Sequence, residues 1–229
     1  MQYTHISVAL IVGFIFPLYA LLNGKKTIQT IEQNPDKLDL VFHSTGFILL
    51  TMCAMVLGSL ALNETPIALI GLSFVFNIWY VSALIVVCVL AYFTFTHMPI
   101  SDARADKLTK TYKDIMYLMP ANKKQYNASV LVSIIAGVCE EIIFRGFLYW
   151  QLQQYMPVYV AFILTNVLFG LGHAGTKLKN ALMTFVLGII FSTVYVLTES
   201  LWSAIVLHIM VDFQSMINGY KLKIKKQKK

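Results

Sequence analysis

Seven apolar runs follow one another along this chain, at about 5–23, 40–62, 74–96, 127–150, 157–173, 181–198 and 200–219. Each approaches the ~20 residues that a helix needs to cross a bilayer. Of 229 residues, 58% are apolar and 13% charged, against roughly 45–50% and about 25% in soluble domains. So much apolar surface exceeds what a water-soluble core of this size can bury, and lipid must cover the remainder. The expectation is an all-α, polytopic transmembrane helix bundle of about seven spans, forming a single integral membrane domain over 1–229. Residues 66–73 are also apolar and read either as a short interfacial turn or as the start of an eighth, tilted element. The first run has no basic residue ahead of it and no small-x-small cleavage site, so it reads as a retained helix rather than a signal peptide.

A net charge of +7 would suit a nucleic-acid partner, but the charges are not placed on a folded face. They lie in alternate connections: Lys25, Lys26 and Lys37; then Arg104, Lys107, Lys110, Lys113, Lys123 and Lys124; then Lys177 and Lys179; then six lysines from Lys221 to Lys229. The connections around 63–65, 151–157 and 198–200 carry none. Positive residues collect on the cytoplasmic side of membrane proteins, so the N-terminus is expected outside and the C-terminus in the cytoplasm. The lysine tail reads as a topology anchor touching anionic lipid. The expected surroundings are the lipid bilayer, with no nucleic acid, and the oligomeric state is open. Cys53, Cys88 and Cys139 all lie in apolar runs without metal spacing, and no disulfide is expected.

Against this background six ionisable residues are misplaced. Glu140, Glu141, Arg145, His173, His208 and Asp212 all sit within or at the end of apolar runs. A charge at the bilayer centre costs about 2.5–3.5 kcal/mol on insertion scales, so such a group implies mutual pairing, a water-filled cavity, or both. Glu141 and Arg145 are four apart and share a helix face, whereas Glu140 is rotated by about 100° and can point elsewhere. Two carboxylates in different environments suit a base and a structural partner, or else a buried ion-pair network that only fixes packing. His208 and Asp212 repeat the spacing of four, so Asp212 could hold the His208 tautomer, or the pair could equally be a helix-packing hydrogen bond. His173 follows Gly170 and Gly172, which let a backbone or substrate come close.

Glu140, His173 and His208 together can activate water in two ways. They could bind Zn²⁺ through two nitrogens and one oxygen. They could equally work without metal, with Glu140 and His173 as bases and His208 facing the oxyanion. With spans at 127–150 and 157–173, Glu140 and His173 sit at different depths, so the fourth helix is expected to begin before residue 127, with a cavity opening to the cytoplasmic half.

The segments Glu140-Glu141-x-x-x-Arg145, Phe169-x-x-x-His173 and His208-x-x-x-Asp212, in this order on separate spans, resemble the CAAX protease and bacteriocin-processing (CPBP, or Abi) family of intramembrane proteases over about 128–219. The resemblance implies that Glu140 and His173 prepare the attacking water and that His208 and the residue at 212 face the oxyanion. Glu141 and Arg145 would position Glu140 or a substrate carboxylate. CAAX prenyl endopeptidases tend to carry Asn where this chain has Asp212, and an ionised carboxylate cannot donate to an oxyanion. The implied activity is that of an endopeptidase acting on a membrane-associated peptide or protein, in a bacterial cell membrane. Two other readings use the same residues: a catalytically silent bacteriocin-immunity or peptide-binding protein, and a proton-coupled transporter, which the lack of an inverted repeat disfavours.

Overall fold

The computed structural model describes residues 2–73, 78–97, 100–175 and 178–227, and every regular element among them is helical. Hydrocarbon offers the backbone no hydrogen-bond partner, so a chain that spans it satisfies its amides within helices. Helix α1 runs unbroken over 2–33, with one π-helical turn at Ile11–Ile15. That wider turn lies just before Pro17, whose ring lacks an N–H and crowds the carbonyl four residues back. The helix stops at Asn34 because the residue before a proline is pushed out of the helical region; Asn34 has φ −133° and Pro35 follows.

After a 3₁₀ turn at Pro35–Lys37 come α2 (Leu38–Leu62), α3 (Ile78–His97) and a short polar helix α4 (Asp102–Thr111). Helix α5 is continuous over 123–153, as Lys123–Glu140, a π-helical stretch Glu141–Leu148, and Tyr149–Gln153. Its N-terminus is capped by Asn122, whose side chain accepts from Gln125 N at 3.0 Å, satisfying one amide that a helix start leaves free. Then follow α6 (Val158–Gly172), α7 (Leu178–Thr198) and α8 (Leu201–Gln227). Among the described residues, seven long helices thus stand where seven apolar runs were expected, with α4 in the polar connection. Four stretches, Tyr3–Gln33, Pro35–Leu62, Leu178–Thr198 and Leu201–Gln227, are long and apolar enough to cross a membrane, and Leu84–Phe93 and Val158–Gly172 are shorter apolar helices.

Residues 66–73 make no eighth crossing among the described residues. Ile67–Ile70 is a 3₁₀ turn closed by Gly71 at φ 77°, and the start of the third run, 74–77, lies outside the described residues. The turn is wedged into the bundle: Ile70 is fully buried, and Gly71 O accepts from Leu201 N at 3.1 Å.

The contacts sort the connections into two ends. At one, Lys124 pairs with Asp39 at 2.8 Å and Lys225 with Asp102 at 2.9 Å. Lys223 and Lys225 also donate to Met119 O and Ile100 O, each at 2.6 Å, and Arg104 reaches Asn218 at 3.3 Å. These two tail lysines are therefore held by the chain itself, where a lipid contact was expected, because α8 continues as a helix to Gln227 and lies along the 100–121 connection. At the other end His5 bridges Ser59 and Thr65, at 3.2 and 3.0 Å, and its ring meets Phe147 and Trp150 edge-on. Cys53, Cys88 and Cys139 are buried and unbridged.

The main core joins α1, α2, α5, α6 and α8, with Val12, Val56, Ile143, Phe147, Leu148 and Leu201 fully buried. Helix α7 shows the opposite face to its surroundings, with Leu182, Met183, Val186, Ile190 and Leu197 exposed, as a lipid-covered surface would. Helices α5 and α8 cross closely at Gly137, where an added Cβ would stand 3.0 Å from the Ile209 backbone nitrogen. Small residues permit such approaches between membrane helices. Gly137→Ala is accordingly expected to destabilise the fold by about 1–3 kcal/mol through overpacking, read as a lowered thermal midpoint in detergent.

Candidate active site

The residue that organises the site is Glu141, at the start of the π-helical stretch of α5. Its Oε1 accepts from Arg145 Nη1 at 2.9 Å and faces His208 Nδ1 at 2.7 Å. A carboxylate paired with an arginine only accepts, so His208 donates from Nδ1 and its Nε2 points away. Glu141 and Arg145 are 0% and 1% exposed, and the pair therefore exists without solvent screening. π-helical segments concentrate at functional positions.

His208 Nε2 stands 3.8 Å from Glu140 Oε2 and 3.8 Å from Asp212 Oδ2. Glu140 lies on the neighbouring face of α5, as the rotation of about 100° per residue predicts. Of the carboxylates near His208, Glu141 takes Nδ1 at hydrogen-bond distance, while Asp212 lies on the Nε2 side beyond it. The tertiary contact won over the local spacing because Asp212 is 35% exposed and Glu141 has no solvent to turn to. His173 closes α6 as its C-terminal cap, is exposed, and donates from Nδ1 to Phe169 O at 2.9 Å. Its Nε2 is the ring nitrogen left clear of the helix. Asp212 is within electrostatic reach of His208, Glu140, His173 and Glu141, so the structure brings these groups into one neighbourhood.

Helix lengths explain how they reach the same depth. Helix α5 begins at Lys123, earlier than 127 as expected. Helix α6 has only 15 residues, about 22 Å, short of the ~30 Å hydrocarbon layer. Counted from the end that lacks basic residues, Glu140 lies about 20 Å in, His173 about 22 Å and Asp212 about 16 Å.

Arg145 is caged by residues that charge and spacing alone do not reveal. Its Nε donates to Ser192 Oγ and its Nη2 to Asn166 Oδ1, both at 3.3 Å, while its guanidinium lies 4.0 Å from the Phe169 ring centroid. Asn166 and Ser192 are themselves hydrogen-bonded, at 3.0 Å. A charge out of water is tolerable only when its donors are matched in this way. One atom is not matched: Glu141 Oε2 is buried without a hydrogen-bond partner.

Glu140, His173 and His208 have the donor types for Zn²⁺, with both Nδ1 atoms engaged as metal-binding imidazoles require. Among the described residues, however, no group of three His, Cys, Asp or Glu side chains is arranged to hold a metal ion.

Residues 123–214 match the profile of a family described as type II CAAX prenyl endopeptidase Rce1-like. The match starts at the first residue of α5 and ends just past Asp212, so it contains all six ionisable residues. The chain is also similar to "Putative membrane peptidase YdiL" of Bacillus subtilis (strain 168), 31% identical over 83 residues, which is 36% of this chain and 33% of that protein. The aligned part is thus a third of that relative's length. No solved structure matches the chain significantly.

Proposed function

We propose, for a chain whose residues 123–214 match the type II CAAX prenyl endopeptidase Rce1-like profile, that it is an intramembrane endopeptidase hydrolysing a peptide bond of a membrane-associated peptide or protein. The observation that carries the reading is the pairing of two carboxylates of unlike surroundings around one imidazole. Glu141 is buried and committed to Arg145 and His208, while Glu140 faces the unbonded side of that ring.

In the proposed reaction Glu140 takes a proton from water as its oxygen attacks the scissile carbonyl carbon. His173, whose Nδ1 is tied to Phe169 O, holds the same water through Nε2. The carbonyl electron pair moves to oxygen, and His208 as an imidazolium donates to it from Nε2. Glu140 then passes its proton to the departing amine as the C–N bond breaks. The Asp-for-Asn difference acquires a role: Asp212 need not donate to the oxyanion, since its charge matches that of the imidazolium whose Nδ1 is held by Glu141.

The alternation of basic connections supports an N-terminus outside and a C-terminus in the cytoplasm, in a bacterial membrane. A small peptide precursor, such as that of a bacteriocin or signal, is the substrate class we favour. The test is cleavage of candidate peptides by the purified protein against Glu140→Ala and His173→Ala. Both variants are expected to be inactive, and cleavage that survives both would sink the residue assignment. A wild type that cleaves nothing yet protects cells from a peptide would favour the silent immunity-type reading, to which Asp212 is the pointer. Treatment with a chelator is expected to leave activity unchanged; loss restored by Zn²⁺ would move the water's activation to a metal.

A further inference from the structure

Helices α5, α6 and α8 supply every ionisable residue of the site. Helix α7 supplies none, yet one turn of it touches both partners of Glu141. Gly188 marks where Arg145 passes: an added Cβ would stand 2.6 Å from Asn166 Oδ1, 2.9 Å from Arg145 Nη2 and 3.1 Å from Phe169 Cδ1. One turn on, Ser192 Oγ accepts from Arg145 Nε at 3.3 Å. Beside it, Phe191 lies nearly flat on the His208 ring, with centroids 4.7 Å apart and planes at 21°. Phe169 meets the same ring edge-on at 6.1 Å.

The geometry gives these contacts a distinct task. The single bond from His208 Nδ1 to Glu141 fixes one point of the imidazole and leaves the ring free to tilt about it. Where Nε2 then points depends on the plane of the ring, which an aromatic face at stacking distance defines. Likewise one ion pair does not fix a guanidinium, which has five donors in a rigid fork; Ser192 and Asn166 take two of the four that Glu141 leaves over. Phe191 and Ser192 are 2% and 5% exposed, so both contacts persist without competition from water.

We propose that Phe191 and Ser192 of α7 are positioning residues: Phe191 sets the plane of His208 and Ser192 the seat of Arg145, together aiming His208 Nε2 at Glu140 and Asp212. For its role in catalysis this rests on the peptidase reading; for the state of His208 it does not. The test uses the full chain in lipid nanodiscs with Phe191→Leu, Ser192→Ala and Ser192→Thr. The first two are expected to lower kcat about tenfold or more, as loss of an orienting partner does at other sites, with KM unchanged. Ser192→Thr, which keeps the hydroxyl, is expected to stay near wild type. Equal kcat per folded molecule in all three would overturn the proposal, as would a loss confined to the yield of folded protein. Should Phe191→Leu fail to fold, the two Ser192 variants decide.

If the wild type cleaves no peptide, the peptidase reading fails and positioning is judged by nitrogen NMR of histidine-labelled protein, with His208→Gln identifying the signals. The wild type is expected to show one His208 form, the imidazolium protonated at both Nδ1 and Nε2, and Ser192→Ala and Phe191→Leu a mixture. An unchanged spectrum in both variants would overturn the positioning role.

Discussion

Arg145→Met is expected to destabilise the protein by about 3–5 kcal/mol, the cost of stripping one partner from a buried ion pair. Methionine nearly fills the space of the lost side chain, so the effect would be electrostatic rather than a cavity. Glu141 would be left 0% exposed with His208 as its one remaining partner and with Oε2 already lacking one. Asn166 and Ser192 would lose the cation they face, though they retain each other. The sign of the double variant is the sharper test. Arg145→Met combined with Glu141→Gln removes both charges, and should recover much of the loss, because paired charges and their neutral replacements often differ little in stability. Chemical unfolding in detergent would measure both. A single variant as stable as wild type would mean that Arg145 is not load-sharing with Glu141 but is satisfied elsewhere.

The helices were legible where hydropathy and helix ends coincide. Helix α6 was expected at 157–173 and is Val158–Gly172, because Pro157 starts it and a glycine pair ends it. They were not legible where a helix outlasts its apolar run. Helix α1 continues from about 23 to Gln33 and α8 from about 219 to Gln227, since lysine, glutamine and threonine in water keep a helix going that no breaker stops. The π-helical turns at Ile11–Ile15 and Glu141–Leu148 have no marker in hydropathy; Pro17 was the one available hint, and for the second there was none.

The site divides in the same way. Glu141–Arg145 was readable because a spacing of four places two side chains together on any helix. The same rule was not enough for His208, whose neighbour at that spacing, Asp212, was one of the partners it offered. Which carboxylate takes Nδ1 depends on the crossing of α5 and α8 at Gly137, a tertiary fact. Asn166, Gly188, Phe191 and Ser192 escaped notice for another reason. In an apolar span a neutral amide, a glycine, a ring and a hydroxyl carry no insertion penalty large enough to demand an explanation, although they line the space around Arg145 and His208.

Glu140→Gln is expected to lower kcat by about 10²–10⁴, the usual worth of a general base, while leaving the fold intact. The amide has nearly the shape of the carboxylate, and Glu140 makes no hydrogen-bond-length contact with His208 that folding would miss: the separation is 3.8 Å. Stability should therefore hold where Arg145→Met loses it, and the contrast between the two variants separates chemistry from architecture within five residues of one helix. Asp212→Asn provides the second contrast. In the proposed reaction Asp212 matches the charge of the His208 imidazolium, one of two carboxylate oxygens at 3.8 Å from Nε2. Its removal leaves Glu140 to do so alone, and the new amide can itself donate to an oxyanion. The loss should accordingly be smaller than that of Glu140→Gln, and KM should change little, since neither residue is asked to bind the ground-state peptide. Were Asp212→Asn instead as damaging as Glu140→Gln, the two carboxylates would be acting as one unit, and the base could not be assigned to Glu140 alone.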